Sequence, residues 1–246
     1  MGSFIHIQET DSTNNHLKKL LLSKSLEEGT LVYTDFQTAG KGQRGNTWES
    51  EQGKNLMCSI ILYPNMIKAN EQFIISQIVS LAVAYTLNKY ADDISIKWPN
   101  DIYWREKKIC GILIENALEG DNIKEAICGI GININQTIFK SNAPNPISLK
   151  QATGIDFDLN TILDELHHNI TDYYDKIKTA DPDSITNKYK KALFRKEGYH
   201  LYNDGKSNFY AAIKDVKSDG ILILTTEEGE ERHFAFKEVS YIINKS

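Results

Sequence analysis

The sequence has few cysteines, no long apolar run and no excess of positive charge, and each shortage excludes a class of protein. Three cysteines in 246 residues (Cys58, Cys110 and Cys128), with no C-x-x-C pair, argue against a disulfide framework or a zinc ribbon and suit a reducing compartment. No run approaches the ~18 apolar residues of a membrane span, and the first residues lack the pattern of a signal peptide. We therefore predict a cytoplasmic protein that is not inserted in a membrane. The formal net charge of −5 argues against general binding to nucleic-acid phosphates.

Several familiar catalytic motifs are also missing. The sequence contains no H-E-x-x-H, no G-x-S-x-G and no cluster of cysteine and histidine with metal-ligand spacing. We therefore predict no dedicated protein metal site. Hydrophobic residues make up 41% and charged residues 25%, which is ordinary for a globular protein of this length.

Hydrophobic periodicity predicts a mixture of helices and strands without strict alternation. This mixture favours an α+β fold over a doubly wound sheet. The predicted helices begin near Ser12 or Thr13 and cover 70–90, 159–177 and 184–193. The predicted strands cover 31–36, 56–62, 94–98, 109–115 and 126–134.

The pattern changes after Phe194. Five short strand-like segments follow within about 50 residues, separated by turns that contain glycine, which is typical of a small β-barrel. They cover 200–202, 209–214, 221–225, 232–236 and 239–243. We place a domain boundary near 190, which gives domains of 1–190 and 191–246.

A glycine-rich segment runs from Gly40 to Gly45. It matches G-x-G-x-x-G formally, but it opens no helix and no βαβ unit follows, so a dinucleotide fingerprint is not indicated. Its amide groups, with Lys41 and Arg44, could wrap a phosphate or a carboxylate. A solvated surface loop is the alternative.

The segment K-W-P-N-D covers 97–101. Trp98-Pro99 disfavours a helix there, and Asn100 and Asp101 follow in a predicted turn. These two side chains could bind a ligand or a cation, or they could stabilise their own backbone in an Asx turn.

Two strand segments carry unusual glycines. Lys107 and Lys108 open an apolar strand, where one or both could point into a site or merely end a hairpin. Gly111 within that strand indicates close approach by a ligand or by other protein atoms. In G-I-G-I-N-I-N, from Gly129 to Asn135, alternate positions leave one strand face bare, for a flat ligand or for a tightly packed helix. Together with the loop cations, these segments suit a nucleotide held next to a second anion, and they predict nucleotidyl or phosphoryl transfer.

The order and the residues of these segments resemble those of biotin protein ligases. The resemblance rests on D-S-T-N at 11–14, K-W-P-N-D at 97–101, K-I-C-G-I-L at 108–113 and G-I-N at 131–133. It implies formation of biotinyl-AMP from biotin and ATP with Mg²⁺, then transfer of the biotinyl group to a lysine of a biotin carboxyl carrier domain. The implied fold is the mixed sheet with flanking helices of class II aminoacyl-tRNA synthetases, with a C-terminal SH3-like barrel.

The resemblance also implies roles for individual residues. The implied biotin-binding residues are Ser12, Thr13, Gln37, Gly40, Lys41, Lys108 and Gly111. The implied ATP- or adenylate-binding residues are Gln43, Arg44, Trp48, Asn100 and Asn133. The implied catalytic residues are Lys108, Asp101 and Lys41.

The chain departs from the family pattern in two places. The family loop usually reads G-R-G-R-x-G-R-x-W, whereas Lys41, Gln43 and Asn46 stand here at the three arginine positions. Lysine lacks the planar guanidinium group of arginine, and glutamine lacks the positive charge. We therefore predict that the loop binds the adenylate more weakly. The catalytic pattern starts at residue 11, which leaves no room for a preceding winged-helix domain, so we predict no DNA binding.

Three competing functions stay open. A lipoate–protein ligase or an octanoyltransferase shares the fold, a non-catalytic biotin sensor would share the pocket, and the small barrel alone suggests RNA binding. The oligomeric state is open between a monomer and a homodimer joined side by side through the sheet.

Overall fold

The computed structural model describes residues 2–141, 145–179 and 182–243, with the backbone alone at residue 44. The chain forms twelve strands and five helices in these ranges. The strands are β1 (Phe4–Thr10), β2 (Leu31–Gln37), β3 (Leu56–Leu62), β4 (Ile94–Lys97), β5 (Asp101–Trp104), β6 (Lys107–Glu119), β7 (Asn122–Ile132), β8 (His200–Asn203), β9 (Asn208–Val216), β10 (Leu222–Thr226), β11 (Glu231–Phe234) and β12 (Ser240–Tyr241). The helices are α1 (Thr13–Ser23), α2 (Phe73–Leu87), α3 (Leu149–Thr153), α4 (Leu159–Thr179) and α5 (Pro182–Lys191).

The first seven strands form one mixed sheet in the order β1-β2-β3-β7-β6-β5-β4. β1 and β2 are parallel and are joined through α1, whereas the other neighbours are antiparallel. This confirms the predicted α+β class with a mixed sheet and flanking helices.

The two faces of this sheet bury different cores, because successive strand residues point to opposite sides. Leu31 and Ile60 join the large core, which also contains the buried residues of α2, α4 and α5. The adjacent residues Val32 and Ile61 join a small core with Leu17 of α1. The α1 face is therefore only partly covered, and the remainder of that face carries the candidate site.

The last five strands form a separate antiparallel sheet in the order β11-β10-β9-β8-β12. It contacts the first unit next to the K-W-P-N-D segment, where the Trp98 Nε1 donates to the carbonyl of Gly220 at 2.9 Å. The ring of Tyr241 also lies 6.0 Å from that of Phe194, centre to centre. The second sheet thus closes one side of the candidate site.

Most predicted elements are present, but two were missed and one was interpreted differently. β1 was missed because it is an edge strand whose side chains are exposed or half-buried, so it lacks a strong apolar signal. α3 has five residues, too few for a visible period, although Ser148 and Gln151 form a capping box at its start. The segment predicted as a turn at 99–101 ends in β5, which begins at Asp101.

The three cysteines are buried and free. Burial raises the pKa of the Cys58 and Cys128 thiols to about 12, so both behave as small apolar core residues. In the described ranges, no helix is both long and apolar enough to cross a bilayer.

Candidate active site

A cavity of about 780 Å³ opens on the α1 face of the large sheet. Its volume suits a ligand of small-molecule size. Eleven of the residues that the sequence predicted for the site line it: Ser12, Thr13, Gln37, Lys41, Gln43, Trp48, Asn100, Asp101, Lys108, Gly111 and Asn133. Gly40 lies just outside the lining, and the Arg44 side chain falls outside what the structure describes.

One end of the cavity is formed by the start of α1 and the end of β2. The backbone N–H of Thr13 donates to the Gln37 Oε1 at 2.8 Å, and its hydroxyl donates to the same oxygen at 3.2 Å. Ser12 is the N-cap residue of α1, but its side chain makes no capping hydrogen bond. Its hydroxyl is therefore not used to cap the helix, and Ser12 is one of the residues that line the cavity.

Asn14 also belongs to this end of the cavity, although no separate role was predicted for it. The Ser59 hydroxyl lies 2.6 Å from the Asn14 Oδ1 and 2.7 Å from the Thr13 Oγ1. The Asn14 Nδ2 donates to the Glu115 carboxylate at 2.7 Å. A Cβ atom on Gly129 would lie 2.3 Å from Asn14, so the bare strand face at that position is filled by α1. At Gly129 the tightly packed helix, and not a flat ligand, therefore explains the missing side chain.

The other end of the cavity is built around Lys108 and Asp101. The Lys108 Nζ lies 2.7 Å from the Asp101 carboxylate, and both side chains are about one-quarter exposed, at 25% and 27%. A bulge between β5 and β6 pairs Tyr103 with Lys108 and leaves Ile109 unopposed. Lys108 lines the cavity and Lys107 does not, so of the two lysines the structure directs Lys108 into the site.

Lys97 lines the same end and was missed as an individual site residue, although it opens the K-W-P-N-D segment. Its Nζ lies 5.1 Å from the ring centre of Tyr103 and 5.2 Å from that of Tyr241 in the second sheet. Burial lowers the pKa of Lys97, while the nearby Asp101 opposes that shift. A buried cation between two aromatic rings is costly to place, which indicates a use for its charge.

The two asparagines predicted for the nucleotide side each donate one side-chain hydrogen bond to a backbone carbonyl of the protein itself. The Asn100 Nδ2 donates to the Ile112 carbonyl at 2.8 Å, so this side chain braces β6 across the sheet. The Asn133 Nδ2 donates to the Ile147 carbonyl at 3.1 Å. The buried Asn133 Oδ1 has no hydrogen-bond partner in the described part of the chain, so an acceptor is left for a ligand.

The glycine-rich loop closes on itself between Gly40 and Trp48. The Trp48 N–H donates to the Gly40 carbonyl at 2.9 Å, and the Gly42 N–H donates to the Asn46 carbonyl at 2.8 Å. A Cβ on Gly40 would lie 2.5 Å from the Trp48 carbonyl oxygen, so this position needs glycine. The Lys41 Nζ donates to the Asn15 Oδ1 at 2.7 Å, which ties the loop to α1.

The Trp48 ring covers the other bare glycines. A Cβ on Gly131 would lie 2.5 Å from the ring, and one on Gly111 would lie 2.9 Å from it. The Trp48 Nε1 is buried and has no partner among the described residues. The sequence suggested a flat ligand on this strand face. In this structure the indole ring of Trp48 occupies that position.

The arrangement brings four lysines, one ion-paired carboxylate and several unused polar groups around one cavity. The lysines are Lys41 in the loop, Lys97 in β4, Lys108 in β6 and Lys237 between β11 and β12. Such a set favours two anionic groups brought close together. In the described ranges, no three side chains of histidine, cysteine, aspartate or glutamate are grouped to hold a metal ion.

Residues 6–133 match the biotin/lipoate A/B protein ligase family. The chain is 29% identical to the bifunctional ligase/repressor BirA of Bacillus spizizenii, over 96% of this chain and 73% of that protein. It is 25% identical to the biotin--[acetyl-CoA-carboxylase] ligase of Paracoccus denitrificans, over 92% of this chain and 95% of that protein.

The fold is similar to that of solved structures. The biotin protein ligase from Aquifex aeolicus in complex with biotin and ATP superposes with a TM-score of 0.78 at 27% identity, covering 97% of both chains. The match to the family covers more than half of the chain and includes the loop, Asp101 and Lys108. The chain belongs to the biotin/lipoate A/B protein ligase family.

Proposed function

We propose that the protein is an ATP-dependent biotin–protein ligase. It forms biotinyl-5′-AMP from biotin and ATP and transfers the biotinyl group to a lysine of a biotin carboxyl carrier domain. The observation that carries the proposal is that the Thr13–Gln37 pair and the Lys108–Asp101 pair line one cavity. A ureido ring and a carboxylate at opposite ends of one ligand would meet these two pairs.

The biotin end offers matched hydrogen-bond partners for a ureido group. Such a group has one carbonyl acceptor and two N–H donors. The hydroxyl of Ser12 can donate a hydrogen bond to the ureido carbonyl, and the side-chain amide of Gln37 can form a hydrogen bond with the ureido ring. The contact with Ser59, which also lies against Asn14, fixes Thr13 before the ligand binds, and this lowers the ordering cost of binding.

The first chemical step brings two anions together. An oxygen of the biotin carboxylate attacks the α-phosphorus of ATP, and the bond to the β-phosphate breaks, so pyrophosphate leaves with the electron pair. Two unit charges ~4 Å apart at an effective dielectric near 20 repel by about 4 kcal/mol. Lys108 and Lys97 offset this repulsion, and Lys41 adds a third cation on the loop side. Mg²⁺ enters as part of the MgATP substrate.

In the second step the neutral amine of the carrier lysine attacks the acyl carbon, the bond from that carbon to the phosphate oxygen breaks, AMP leaves with the electron pair, and the amine loses one proton to solvent. Lys108 is placed to neutralise the charge that returns to that phosphate. The 2.7 Å ion pair supports an orienting role for Asp101, because the carboxylate holds the Lys108 ammonium in one place.

The nucleotide lies, in this proposal, between the glycine-rich loop and β7. Gln43, Arg44, Trp48, Asn100 and Asn133 are the proposed contacts. Trp48 supplies an aromatic face, and the unpaired Asn133 Oδ1 supplies an acceptor. Gly40 and Gly111 serve by letting the loop and the Trp48 ring approach.

The following proposals concern the fold, the domains and the assembly of the chain. We propose that the second sheet is an SH3-like barrel, with domains of 1–190 and 191–246, and that the first unit is the sheet shared with class II aminoacyl-tRNA synthetases. β1 lies at the edge of the large sheet, which is compatible with a side-by-side homodimer. A cytoplasmic location and the absence of DNA binding stay predictions.

A transfer reaction tests the proposal as a whole. The protein is incubated with MgATP, biotin and a biotin carboxyl carrier domain, and the carrier is weighed by mass spectrometry. We expect a gain of one biotinyl group, which is lost when the acceptor lysine of the carrier is replaced by arginine. Transfer of lipoate or octanoate to their own carrier, with none of biotin, would assign the chain to the sister activity. Biotin binding without any transfer would assign it to a sensor.

A further inference from the structure

The segment that follows α5 is bonded to β4 immediately before the K-W-P-N-D segment. The Ile96 N–H donates to the Ala192 carbonyl at 2.8 Å, and the Phe194 N–H donates to the Ile96 carbonyl at 2.8 Å. Ile96 is thus paired with this segment as a strand residue is paired with its neighbour. Lys97 comes next along the chain, so the backbone that leads into this cation is held from the α5 side.

Tyr189 of α5 holds the backbone on the other side of Lys97. Its hydroxyl donates to the carbonyl of Pro99 at 2.7 Å, and Pro99 lines the cavity. The Tyr189 side chain is fully buried, and its ring packs edge-on against Phe73 of α2 with 5.6 Å between the ring centres. Burial raises the pKa of the Tyr189 hydroxyl, so this group stays protonated and acts as a hydrogen-bond donor.

The bonded carbonyl belongs to the 98–100 turn, which leads directly to the ion pair of the site. Because a peptide group is planar, a fixed Pro99 carbonyl also fixes the direction in which the chain enters Asn100. Asp101 follows, and its carboxylate lies 2.7 Å from the Lys108 Nζ. The place of this ion pair therefore depends in part on a contact made by α5.

We propose that Tyr189 is a positioning residue, whose hydroxyl holds the Pro99 carbonyl and thereby keeps Asp101 and Lys108 in the geometry that adenylation needs. Tyr189 does not line the cavity, so its effect passes through the 98–100 turn and not through contact with a ligand. The kinetic part of this inference rests on the proposed function. The structural part does not depend on the reaction.

Hydrogen exchange tests the structural part. Tyr189→Phe removes one hydroxyl and keeps the ring against Phe73. Loss of one hydrogen bond corresponds to roughly five- to tenfold in a local opening equilibrium. We therefore expect the amides of residues 100–104 to exchange about five- to tenfold faster in this variant, measured by mass spectrometry of peptides. Unchanged exchange at 100–104 would overturn the inference.

Steady-state pyrophosphate release with biotin and MgATP tests the kinetic part. Small displacements of the groups around the reacting atoms slow a reaction more than they weaken binding, so we expect the kcat of Tyr189→Phe to fall about tenfold. The KM for ATP and the Kd for biotin should stay within about twofold of the wild type. A raised KM with an unchanged kcat would contradict a positioning role, because it would indicate a loss of binding alone.

Two variants control for a general loss of stability. Thr186 lies on the same helix, and its hydroxyl donates to Gln77 of α2 at 2.9 Å. Tyr174 is a buried tyrosine of α4, and its hydroxyl donates to Glu28 at 2.7 Å. We expect Thr186→Val and Tyr174→Phe to lower the Tm without changing the kcat or the exchange at 100–104. An equal fall of the kcat in either control would overturn the specific role of Tyr189.

Two non-natural side chains of nearly equal size test the donor itself. At position 189, 4-aminophenylalanine keeps an N–H donor, whereas 4-methylphenylalanine has none. We expect the amino variant to recover most of the wild-type kcat and the methyl variant to behave like Tyr189→Phe. Equal rates for the two would overturn the role of the hydroxyl. If Tyr189→Phe does not fold, this pair carries the same comparison.

Failure of this inference is distinguishable from failure of the proposed function. A wild-type protein that releases no pyrophosphate with biotin and ATP refutes the ligase activity, while hydrogen exchange still decides whether Tyr189 holds the 98–100 turn. Release by the wild type, together with unchanged exchange and unchanged kcat in Tyr189→Phe, refutes the inference alone.

Discussion

At the scale of single residues, the Lys108 side chain is three-quarters buried and its amino group is ion-paired to Asp101, so its charge is held in one place within the cavity. We predict that Lys108→Ala lowers the rate of biotin adenylation by about 10²–10³, the usual effect of removing one such donor. Biotin binding should change far less, because the ureido end is held elsewhere. Stopped-flow kinetics and calorimetry measure the two effects.

Lys107→Ala is the control for that variant. It removes a lysine from the adjacent position, whose side chain does not line the cavity. We expect near wild-type rates. Equal losses in both variants would mean that the strand's general charge matters, and not the position of Lys108.

Lys97 illustrates a residue whose burial costs stability and serves the site. Its pKa is lowered from the ordinary value of 10.5, chiefly by burial. The unfolded chain therefore binds more protons between the lowered value and 10.5, and stability from this group rises with pH across that interval. At neutral pH, where both states are protonated, the burial cost is fully present.

We therefore predict that Lys97→Met has a Tm at or above that of the wild type near about pH 7, with a difference that narrows towards about pH 10. The same variant should bind ATP more weakly, since the cation that we propose to offset the charge of the phosphates is lost. Calorimetric scans at both pH values check the stability, and KM measurements check the ATP effect. A lower Tm for the variant at neutral pH would show that the two cation–ring contacts outweigh the burial cost.

At the scale of elements, two glycines on β7 separate the two ends of the site. Gly129→Ala would press on Asn14 at 2.3 Å and disturb α1, whereas Gly131→Ala would press on Trp48 at 2.5 Å. We predict that Gly129→Ala mainly weakens biotin binding and that Gly131→Ala mainly weakens ATP binding. Isothermal titration with each ligand measures this. The same loss of both ligands in both variants would contradict the assignment of the two ends.

The glycine-rich loop is the element in which this chain departs most from the family pattern. Lys41, Gln43 and Asn46 stand at the usual arginine positions, and Lys41 is bonded to Asn15 of α1. We predict that replacing all three by arginine slows release of free biotinyl-AMP severalfold, because planar guanidinium groups bind phosphate through two N–H donors. Filter separation of labelled adenylate measures the release. Tight retention by the wild type would contradict the expectation of a loose loop.

The residues that the motifs predicted lie around one cavity because each motif is a local run of residues within one strand or loop. Asp101 is the first residue of β5 and K-I-C-G-I-L lies in β6, and these two strands pair as a hairpin, so the side chains of Asp101 and Lys108 come within 2.7 Å of each other. The contacts of Asn14 with Ser59 and of Glu49 with Lys140 join segments that lie far apart in the chain. A local sequence pattern does not predict contacts between such distant residues. Similarly, β1 was missed because only its pairing with β2 makes it a strand.

At the scale of the whole molecule, the two sheets meet where the chemistry is proposed. Trp98 bonds to Gly220, and Tyr241 packs near Lys97. Composition and periodicity predicted a mixed first unit and a strand-rich second one, but not that the second sheet would close the site. That contact depends on tertiary packing, which single-sequence periodicity does not encode.

The central claim is that one cavity activates biotin with ATP. The most direct measurement is pyrophosphate release with MgATP and biotin, with lipoate and octanoate as parallel substrates. The account predicts release with biotin, little with the other two acids, and loss of release in Lys108→Ala. Release with lipoate or octanoate alone, or full activity of Lys108→Ala, would contradict it.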